Sequence, residues 1–282
     1  MLVTLNDILP AAQKEHYAVG LFNTVNLEMA RGVIAAAEES HSPVIIGTAE
    51  VLLPFSGLKE LAPLLRSMAE KASVPVVLHF DHGLDAELIR QTIKMGFSSV
   101  MYDCSTKSFI DNIRDTKEMV CYAHKQGVSV EAELGHVGAN DGSAEGESED
   151  DSSLFTDPLE AKEFADATGV DALAVSIGTA HGAYKKAPKL DFDRLTTIRN
   201  TIDTPLVLHG GSGLSNDSFK EAIARGITKV NIFTDINTAC AKAAHDGYKE
   251  GIGMTDLMPL LTEAVKSATL EKIKLFGSEG RA

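Results

Sequence analysis

The chain of 282 residues is long enough for two small domains or for one β/α barrel, a fold that commonly reaches about 250 residues. Hydrophobic residues make up 44% and charged residues 23%, a composition that excludes disordered and fibrous proteins. The formal net charge of −14, with no cluster of Lys and Arg, excludes nucleic acid as an expected partner.

The sequence contains no apolar run that approaches the length of a membrane span, and its first residues do not resemble an export signal. Cys104, Cys121 and Cys240 are widely spaced and form no CxxC pair, as is typical of a protein in a reducing compartment. We therefore expect a cytoplasmic protein without contact to a membrane.

Short runs rich in Val, Ile and Leu alternate along the chain with segments of helical period. The predicted strands are 17–22, 43–47, 75–80, 98–102, 128–134, 171–177, 205–208 and 228–232. The predicted helices between them include 26–40, 58–72, 85–95, 109–126, 158–168, 191–202 and 215–225. This alternation predicts an α/β protein, a single (β/α)8 TIM barrel over residues 1–282.

One segment breaks the alternation. Residues 138–153 are polar, acidic and rich in glycine, and they lie between the fifth strand and the next helix. They predict a mobile loop, which is either a lid over the mouth of the barrel or a solvated insertion without a role.

Three histidines follow predicted strands. His82, His181 and His209 come after the third, sixth and seventh strands, and in a barrel the carboxyl ends of all strands lie at one mouth. Three imidazoles with an open fourth position are typical of catalytic zinc. The alternative is that each is an ordinary hydrogen-bonded polar residue.

Carboxylates accompany these histidines. Asp81 directly precedes His82 and could exchange a proton with a metal-bound substrate, or it could cap the helix that follows. Glu131 and Glu133 are two residues apart on one strand, so both should face the barrel interior. They could orient a zinc-bound imidazole, hold a second cation together with Asp103, or form a structural ion pair.

Two segments after the last strands predict a phosphate site. HGGSG (209–213) and NIFTD (231–235) each end a strand and lead into a helix. Backbone amides of such loops and helix N-termini bind anions, so the negative charge of the chain does not exclude a phosphorylated substrate.

The motifs HFDHG, VEAELGHVG, AVSIGTAHGAY, LVLHGGSG and KVNIFTD resemble those of the class II, zinc-dependent ketose-bisphosphate aldolases. The resemblance extends over essentially the whole chain and is strongest to the tagatose-bisphosphate aldolase group and its uncharacterised relatives. It implies an enzyme that reversibly cleaves a phosphorylated ketose, such as fructose or tagatose bisphosphate, to dihydroxyacetone phosphate and an aldehyde.

The resemblance also implies roles for particular residues. Zn²⁺ would be held by His82, His181 and His209, with Asp81 as the proton donor and acceptor at the C4 oxygen. The residues implied to bind the dihydroxyacetone phosphate half are Asn23, Gly182, Gly210, Gly211, Ser212, Asn231, Ile232, Phe233 and Thr234. Members of the family commonly bind a monovalent cation, Na⁺ or K⁺, beside the phosphate, and form homodimers or tetramers.

The chain departs from the family pattern at two places. The family glutamate that acts from the loop after EAELG corresponds here to Asp141, and Glu145 is a second candidate for that role. The serine or threonine site after the second strand has a poor counterpart, for which Thr48 is the candidate. Arg281, Lys185 and Lys186 are candidates for binding a second phosphate.

Three alternatives remain open at this stage. A metal-dependent phosphosugar epimerase or isomerase would use similar residues but leave carbon–carbon bonds intact. A sugar-phosphate sensor without catalytic activity would bind its ligand equally well after replacement of Asp81. A Schiff-base aldolase is disfavoured because residues 171–184 contain no lysine, which leaves Lys229 as the only substitute.

Overall fold

The protein is described from a computed structural model that covers residues 1–137, 154–181 and 188–282. The strands are β1 (Leu2–Val3), β2 (Val19–Asn23), β3 (Val44–Ala49), β4 (Val76–Gly83), β5 (Ser99–Tyr102), β6 (Ser129–Leu134), β7 (Ala172–Val175), β8 (Leu206–Leu208) and β9 (Ile227–Ile232). The α-helices are α1 (Leu5–Glu15), α2 (Leu27–Glu39), α3 (Leu58–Lys71), α4 (Ala86–Lys94), α5 (Phe109–His124), α6 (Pro158–Thr168), α7 (Phe192–Thr201), α8 (Asn216–Ala224), α9 (Thr234–Gly247) and α10 (Met254–Phe276).

Strands β2 to β9 form a closed parallel barrel. Each pairs in parallel with the next along the chain, and β9 pairs with β2 to complete the ring. The predicted (β/α)8 barrel is therefore confirmed, and the eight predicted runs correspond to these strands. No helix in the described ranges is both long and apolar enough to cross a membrane.

Elements outside the regular alternation were not among the predicted ones. Strand β1 has only two residues and pairs with β4 outside the ring, too short for any periodicity to show in the sequence. Helices α1 and α10 also lie outside the predicted helical segments. Helix α10 is 23 residues long and packs against α2 and α9.

Helix α1 closes the amino end of the barrel. Its side chains Leu5 and Leu9 are fully buried and pack with Val19, Val77 and Val207, which project from the strands into the barrel. The lower half of the interior is thus filled with apolar side chains. One polar side chain also lies there: Ser129, at the start of β6, accepts a hydrogen bond from the Leu5 amide at 3.1 Å.

We expect Leu9→Ala to lower the free energy of unfolding by about 2–5 kcal/mol, because the side chain is fully buried and its removal leaves a cavity. Urea denaturation of the purified protein measures this change. Ile110→Ala is the matched control, since Ile110 is 76% exposed and its loss should have little effect. A similar change in the free energy of unfolding in both variants would contradict the packing of α1 against the amino end of the barrel.

The carboxyl terminus lies at this same amino end of the barrel. Arg281 pairs with Glu15 at 2.5 Å and lies over the ring of Tyr17, just before β2 begins. The contacts of Arg281 are thus with Glu15 and Tyr17 and not with the histidine cluster, and a role in binding a second phosphate stays a prediction. Lys185 and Lys186 lie outside the described residues.

Candidate metal centre

The end of β4 brings two neighbouring side chains to the mouth of the barrel. In a regular strand adjacent residues point to opposite faces, so Asp81 and His82 could not both face inward. Here the register with β5 shifts between Phe80 and Gly83, and His82 adopts a left-handed backbone with φ 44°. This bulge turns His82 toward the mouth beside Asp81, a strained conformation of the kind that is retained at functional sites.

The three predicted metal ligands converge. One nitrogen from each of His82, His181 and His209 can be chosen so that all lie within 4.8 Å of one another. The ring centroid of His82 lies 4.8 Å from that of His181 and 4.6 Å from that of His209. Side chains far apart in the sequence thus form a single cluster.

Two of the imidazoles are oriented by carboxylates. His82 Nδ1 lies 2.8 Å from Asp103 Oδ2, and His209 Nε2 lies 2.8 Å from Glu131 Oε1. His82 Nε2 is buried and has no hydrogen-bond partner among the described residues, whereas His209 Nδ1 lies 3.1 Å from Glu133 Oε2. A carboxylate on one nitrogen and a free lone pair on the other is the usual arrangement of a metal-binding histidine, and His82 has it, so the cluster fits a divalent cation.

The surroundings of the cluster keep His181 neutral and Asp81 ionised. Burial, then the neighbouring His82, lowers the pKa of His181 to about 4, so its imidazole is neutral. Burial by itself raises the pKa of Asp81, but the positive charges at His82 and Lys229 outweigh it and hold the pKa well below its usual range. Asp81 is therefore ionised and able to accept a proton.

We expect metal binding to release protons. Burial lowers the pKa of His209, but hydrogen bonds and charges from Glu131 and Glu133 outweigh it and raise the pKa to about 10 before a metal binds. A metal ion binds the neutral imidazole, so binding must displace the proton of His209. For each proton displaced, the affinity of the protein for the metal should fall about tenfold with every pH unit below the pKa of the group that loses it.

Calorimetric titration with Zn²⁺ in buffers of different ionisation enthalpy measures this release. We expect about one proton or more near neutral pH. Glu131→Gln removes a carboxylate that raises the pKa of His209 and should reduce the number released. Binding enthalpies that do not depend on the buffer would contradict the prediction.

Asp81 is held on both of its oxygen atoms. Asn23 Nδ2 donates to Oδ2 at 2.7 Å, and Asn231 Nδ2 donates to Oδ1 at 3.0 Å. The alternative role of Asp81 as a helix cap was wrong, because Asp85 caps α4 by accepting from the Glu87 amide. The Asp81 carboxylate thus has a defined orientation beside the histidines.

Glu131 and Glu133 face the barrel interior, as the two-residue spacing predicts. Glu131 bonds to His209 and also lies 2.8 Å from the ammonium of Lys229. Glu133 accepts from the Val137 amide at 3.0 Å, and its Oε2 lies 3.1 Å from His209 Nδ1. The sequence indicates Lys229 only as a possible Schiff-base lysine, because its pairing with Glu131 depends on a contact between β6 and β9.

Two further groups of side chains in the described ranges could hold a cation. One consists of His82, Asp103 and Glu133, which shares His82 with the histidine cluster. The other consists of His79, Asp81 and Glu131 deeper in the barrel. The first group corresponds to the predicted association of Asp103 with a glutamate.

The predicted phosphate-binding loops adjoin one another above the barrel. Gly210 has φ 65° and abuts the backbone of Ala180, so the loops after β7 and β8 are in contact and a side chain would not fit there. Ser212 is buried, and Asn231 and Ile232 end β9. Phe233 is the N-cap residue of α9, and Thr234 is its first residue, so the amides of the first turn lie in this region.

Some predicted site residues are not brought to the mouth or lie outside the described part of the chain. Ile45 faces the barrel interior, and successive side chains of a strand point to opposite faces. Thr48 is an odd number of positions from Ile45, so it lies on the outward side of β3 together with Val44 and Ile46. The structure therefore does not bring Thr48 into the candidate site. Asp141, Glu145 and Gly182, and the predicted loop 138–153, lie outside the described residues.

A model of the family "Fructose-bisphosphate aldolase class-II" matches residues 3–281. The chain belongs to the class II fructose-bisphosphate aldolase family. This aldolase is 42% identical over 275 residues to the uncharacterised protein YdjI of Escherichia coli K12, a match covering 96% of each chain. It is 38% identical over 287 residues to the fructose-bisphosphate aldolase of Geobacillus stearothermophilus, covering 100% of this chain and 99% of the relative.

The fold agrees with that of a solved relative. The crystal structure of the YdjI aldolase from Escherichia coli K12 superimposes with a TM-score of 0.89 at 40% identity, covering 100% of both chains. As a class II aldolase, the chain is a carbon–carbon lyase. Its histidine cluster fits the divalent metal on which this class depends.

Proposed function

We propose that this class II aldolase uses zinc to cleave a phosphorylated ketose reversibly to dihydroxyacetone phosphate and an aldehyde. The observation that carries the proposal is the cluster of His82, His181 and His209 with an ionised Asp81 beside it. Three imidazoles are the ligand set of many catalytic zinc sites. The motifs resemble most those of the tagatose-bisphosphate aldolase group, so tagatose and fructose bisphosphates are the first substrates to test.

Each group at the centre has a separate task. Zinc held by the three histidines would act as a Lewis acid that polarises the oxygens of the substrate next to the bond that breaks. Asp81 accepts the proton of the C4 hydroxyl during cleavage and returns it during condensation. Asp103 and Glu131 hold the imidazoles of His82 and His209 in orientation.

The phosphate of the dihydroxyacetone half would lie at the adjoining loops after β7, β8 and β9. We assign its contacts to Gly182, Gly210, Gly211, Ser212 and the segment Asn231, Ile232, Phe233 and Thr234. Backbone amides at the first turn of α9 favour an anion there. A monovalent cation beside this phosphate remains a prediction.

Two further assignments come from the sequence resemblance. Asp141 or Glu145 is the candidate for moving the proton on C3, and Asn23 is the candidate for contact with the substrate near Asp81. Asn23 is supported by its hydrogen bond to the Asp81 carboxylate. A homodimer or tetramer and a cytoplasmic location are likewise proposed from the family and from the cysteine pattern.

The environment of Lys229 supports metal chemistry over a Schiff base. Its side chain is fully buried and its ammonium is paired with Glu131 and bonded to Asn231. A nucleophilic lysine needs its neutral amine in contact with the substrate carbonyl. An ammonium held in this way is poorly suited to that role.

The proposal is tested by assaying phosphorylated ketoses before and after metal removal. The panel contains fructose and tagatose bisphosphates and ketose monophosphates that lack the distal phosphate. We expect release of dihydroxyacetone phosphate, loss of activity after dialysis against a chelator, and recovery with Zn²⁺.

Other outcomes identify the alternatives. Conversion of the ketose without release of dihydroxyacetone phosphate would indicate an epimerase or isomerase. Binding of the ketoses without turnover would indicate a sensor. Trapping of an enzyme–substrate adduct by borohydride would contradict the zinc mechanism.

A further inference from the structure

A fully buried lysine lies inside the barrel next to Glu131, the carboxylate that also bonds to His209 of the histidine cluster. Lys229 projects inward from β9 and is 0% exposed. Its Nζ lies 2.8 Å from Glu131 Oε2 and donates to Asn231 Oδ1 at 2.6 Å. One ammonium therefore contacts both Glu131, which bonds to His209, and Asn231, which bonds to Asp81.

The carboxylates around this lysine need a positive charge. Oxygens of Asp81 and Glu131 lie within 4.8 Å of each other and of His79, deep in the barrel. Burial lowers the pKa of His79 to about 4, so this histidine is neutral and does not supply that charge. The ammonium of Lys229 thus places a positive charge near the carboxylates of Asp81 and Glu131, which would otherwise repel each other.

The ammonium also determines which way the Asn231 amide points. An ammonium only donates hydrogen bonds, so it can bind the oxygen of the amide and not its nitrogen. With Oδ1 bonded to Lys229, the Nδ2 group points in the other direction and donates to Asp81 Oδ1 at 3.0 Å. Without the ammonium, only the hydrogen bond to the Asp81 carboxylate would hold the amide in this orientation.

We propose that Lys229 is a positioning residue for the aldolase reaction: through Asn231 it fixes the orientation of the Asp81 carboxylate. Its catalytic consequence rests on the proposed function. The second oxygen of Asp81 is held independently by Asn23, so loss of the Lys229 contact releases one side of the carboxylate. A misplacement of about 1 Å in a proton-transfer group can lower turnover by about 100-fold.

The test separates this role from the contact of Lys229 with Glu131. Removing the ammonium alone would leave Glu131 buried with an uncompensated charge and could prevent folding. The comparison is therefore between E131Q and E131Q/K229M, neither of which leaves that carboxylate unpaired. E131Q/K229Q is the second variant, because glutamine can still donate a hydrogen bond to Asn231.

The first readout is structural and does not depend on activity. In crystal structures, E131Q should keep the Asn231 Nδ2 to Asp81 Oδ1 hydrogen bond, and E131Q/K229M should lose it. An unchanged Asn231 amide in E131Q/K229M would overturn the proposal. This readout decides the role of Lys229 even if the protein cleaves none of the ketoses, an outcome that would contradict only the proposed function.

The second readout is kinetic. Relative to E131Q, E131Q/K229M should show kcat lowered by about 10- to 100-fold, a smaller change in KM and unchanged zinc content, and E131Q/K229Q should recover part of the loss in kcat. When Asn231→Ala is added to both E131Q and E131Q/K229M, the two kcat values should become equal, because Lys229 acts through Asn231. Equal kcat values before that addition, or an undiminished difference after it, would overturn the proposal.

Discussion

Asp81→Ala is expected to lower kcat for ketose cleavage by about 1,000-fold, within the range that general acid–base catalysis commonly contributes. Asp81 is only 2% exposed, is ionised, and lies beside a histidine of the metal cluster. Removing its carboxylate leaves no group to accept the C4 proton at that point. KM and zinc content should change far less than kcat, because the histidines are retained.

Steady-state cleavage of the preferred ketose, together with metal analysis of the same preparation, measures this effect. Asp166→Ala is the matched control, since the side chain of Asp166 is exposed on α6 and pairs with Lys162. Thermal unfolding of both variants shows whether the lost acceptor of Asn23 and Asn231 destabilises the fold. A kcat within about tenfold of the unmodified protein would contradict the role of Asp81.

His181→Ala is expected to reduce metal affinity by more than about 100-fold, because loss of an outer partner of a ligand alone reduces it by about 10- to 100-fold. Two imidazoles would remain, which is fewer protein ligands than a catalytic zinc site normally has. His181 is preferred to His209 for this test. Replacing His209 would also remove one buried partner from each of Glu131 and Glu133.

Metal content after dialysis, and titration with Co²⁺ followed by its visible absorption, measure the loss. Cleavage activity should fall in parallel and return only at high added metal. His245→Ala is the control, since His245 is an exposed histidine on α9. Normal metal content in His181→Ala would contradict the three-histidine centre.

The sequence predicted the barrel and the location of the metal cluster for the same reason. Parallel strands buried on both sides appear as short apolar runs, and their carboxyl ends meet at one mouth. Any polar residue directly after such a run is therefore a candidate, as His82, His181 and His209 are. The inward direction of Glu131 and Glu133 followed from the two-residue repeat of a strand.

Other features depended on contacts that no local pattern contains. The bulge after Phe80 brings Asp81 and His82 to the same side, although strict alternation would separate them. The same alternation places Thr48 on the outward side of β3, which could be determined only once the inward residues of that strand were known. The position of Arg281 at the amino end of the barrel also depended on how α10 returns to β2.

By itself, the amino-acid sequence determined the parallel barrel and the set of histidines and carboxylates available at its mouth, because both follow from periodicities within single strands. Only the tertiary structure decided how those groups are paired: Asp103 with His82, Glu131 with His209 and Lys229, and the two asparagines with Asp81. Such pairs join strands that are distant in the sequence. Their geometry arises from closure of the barrel, which no single segment encodes.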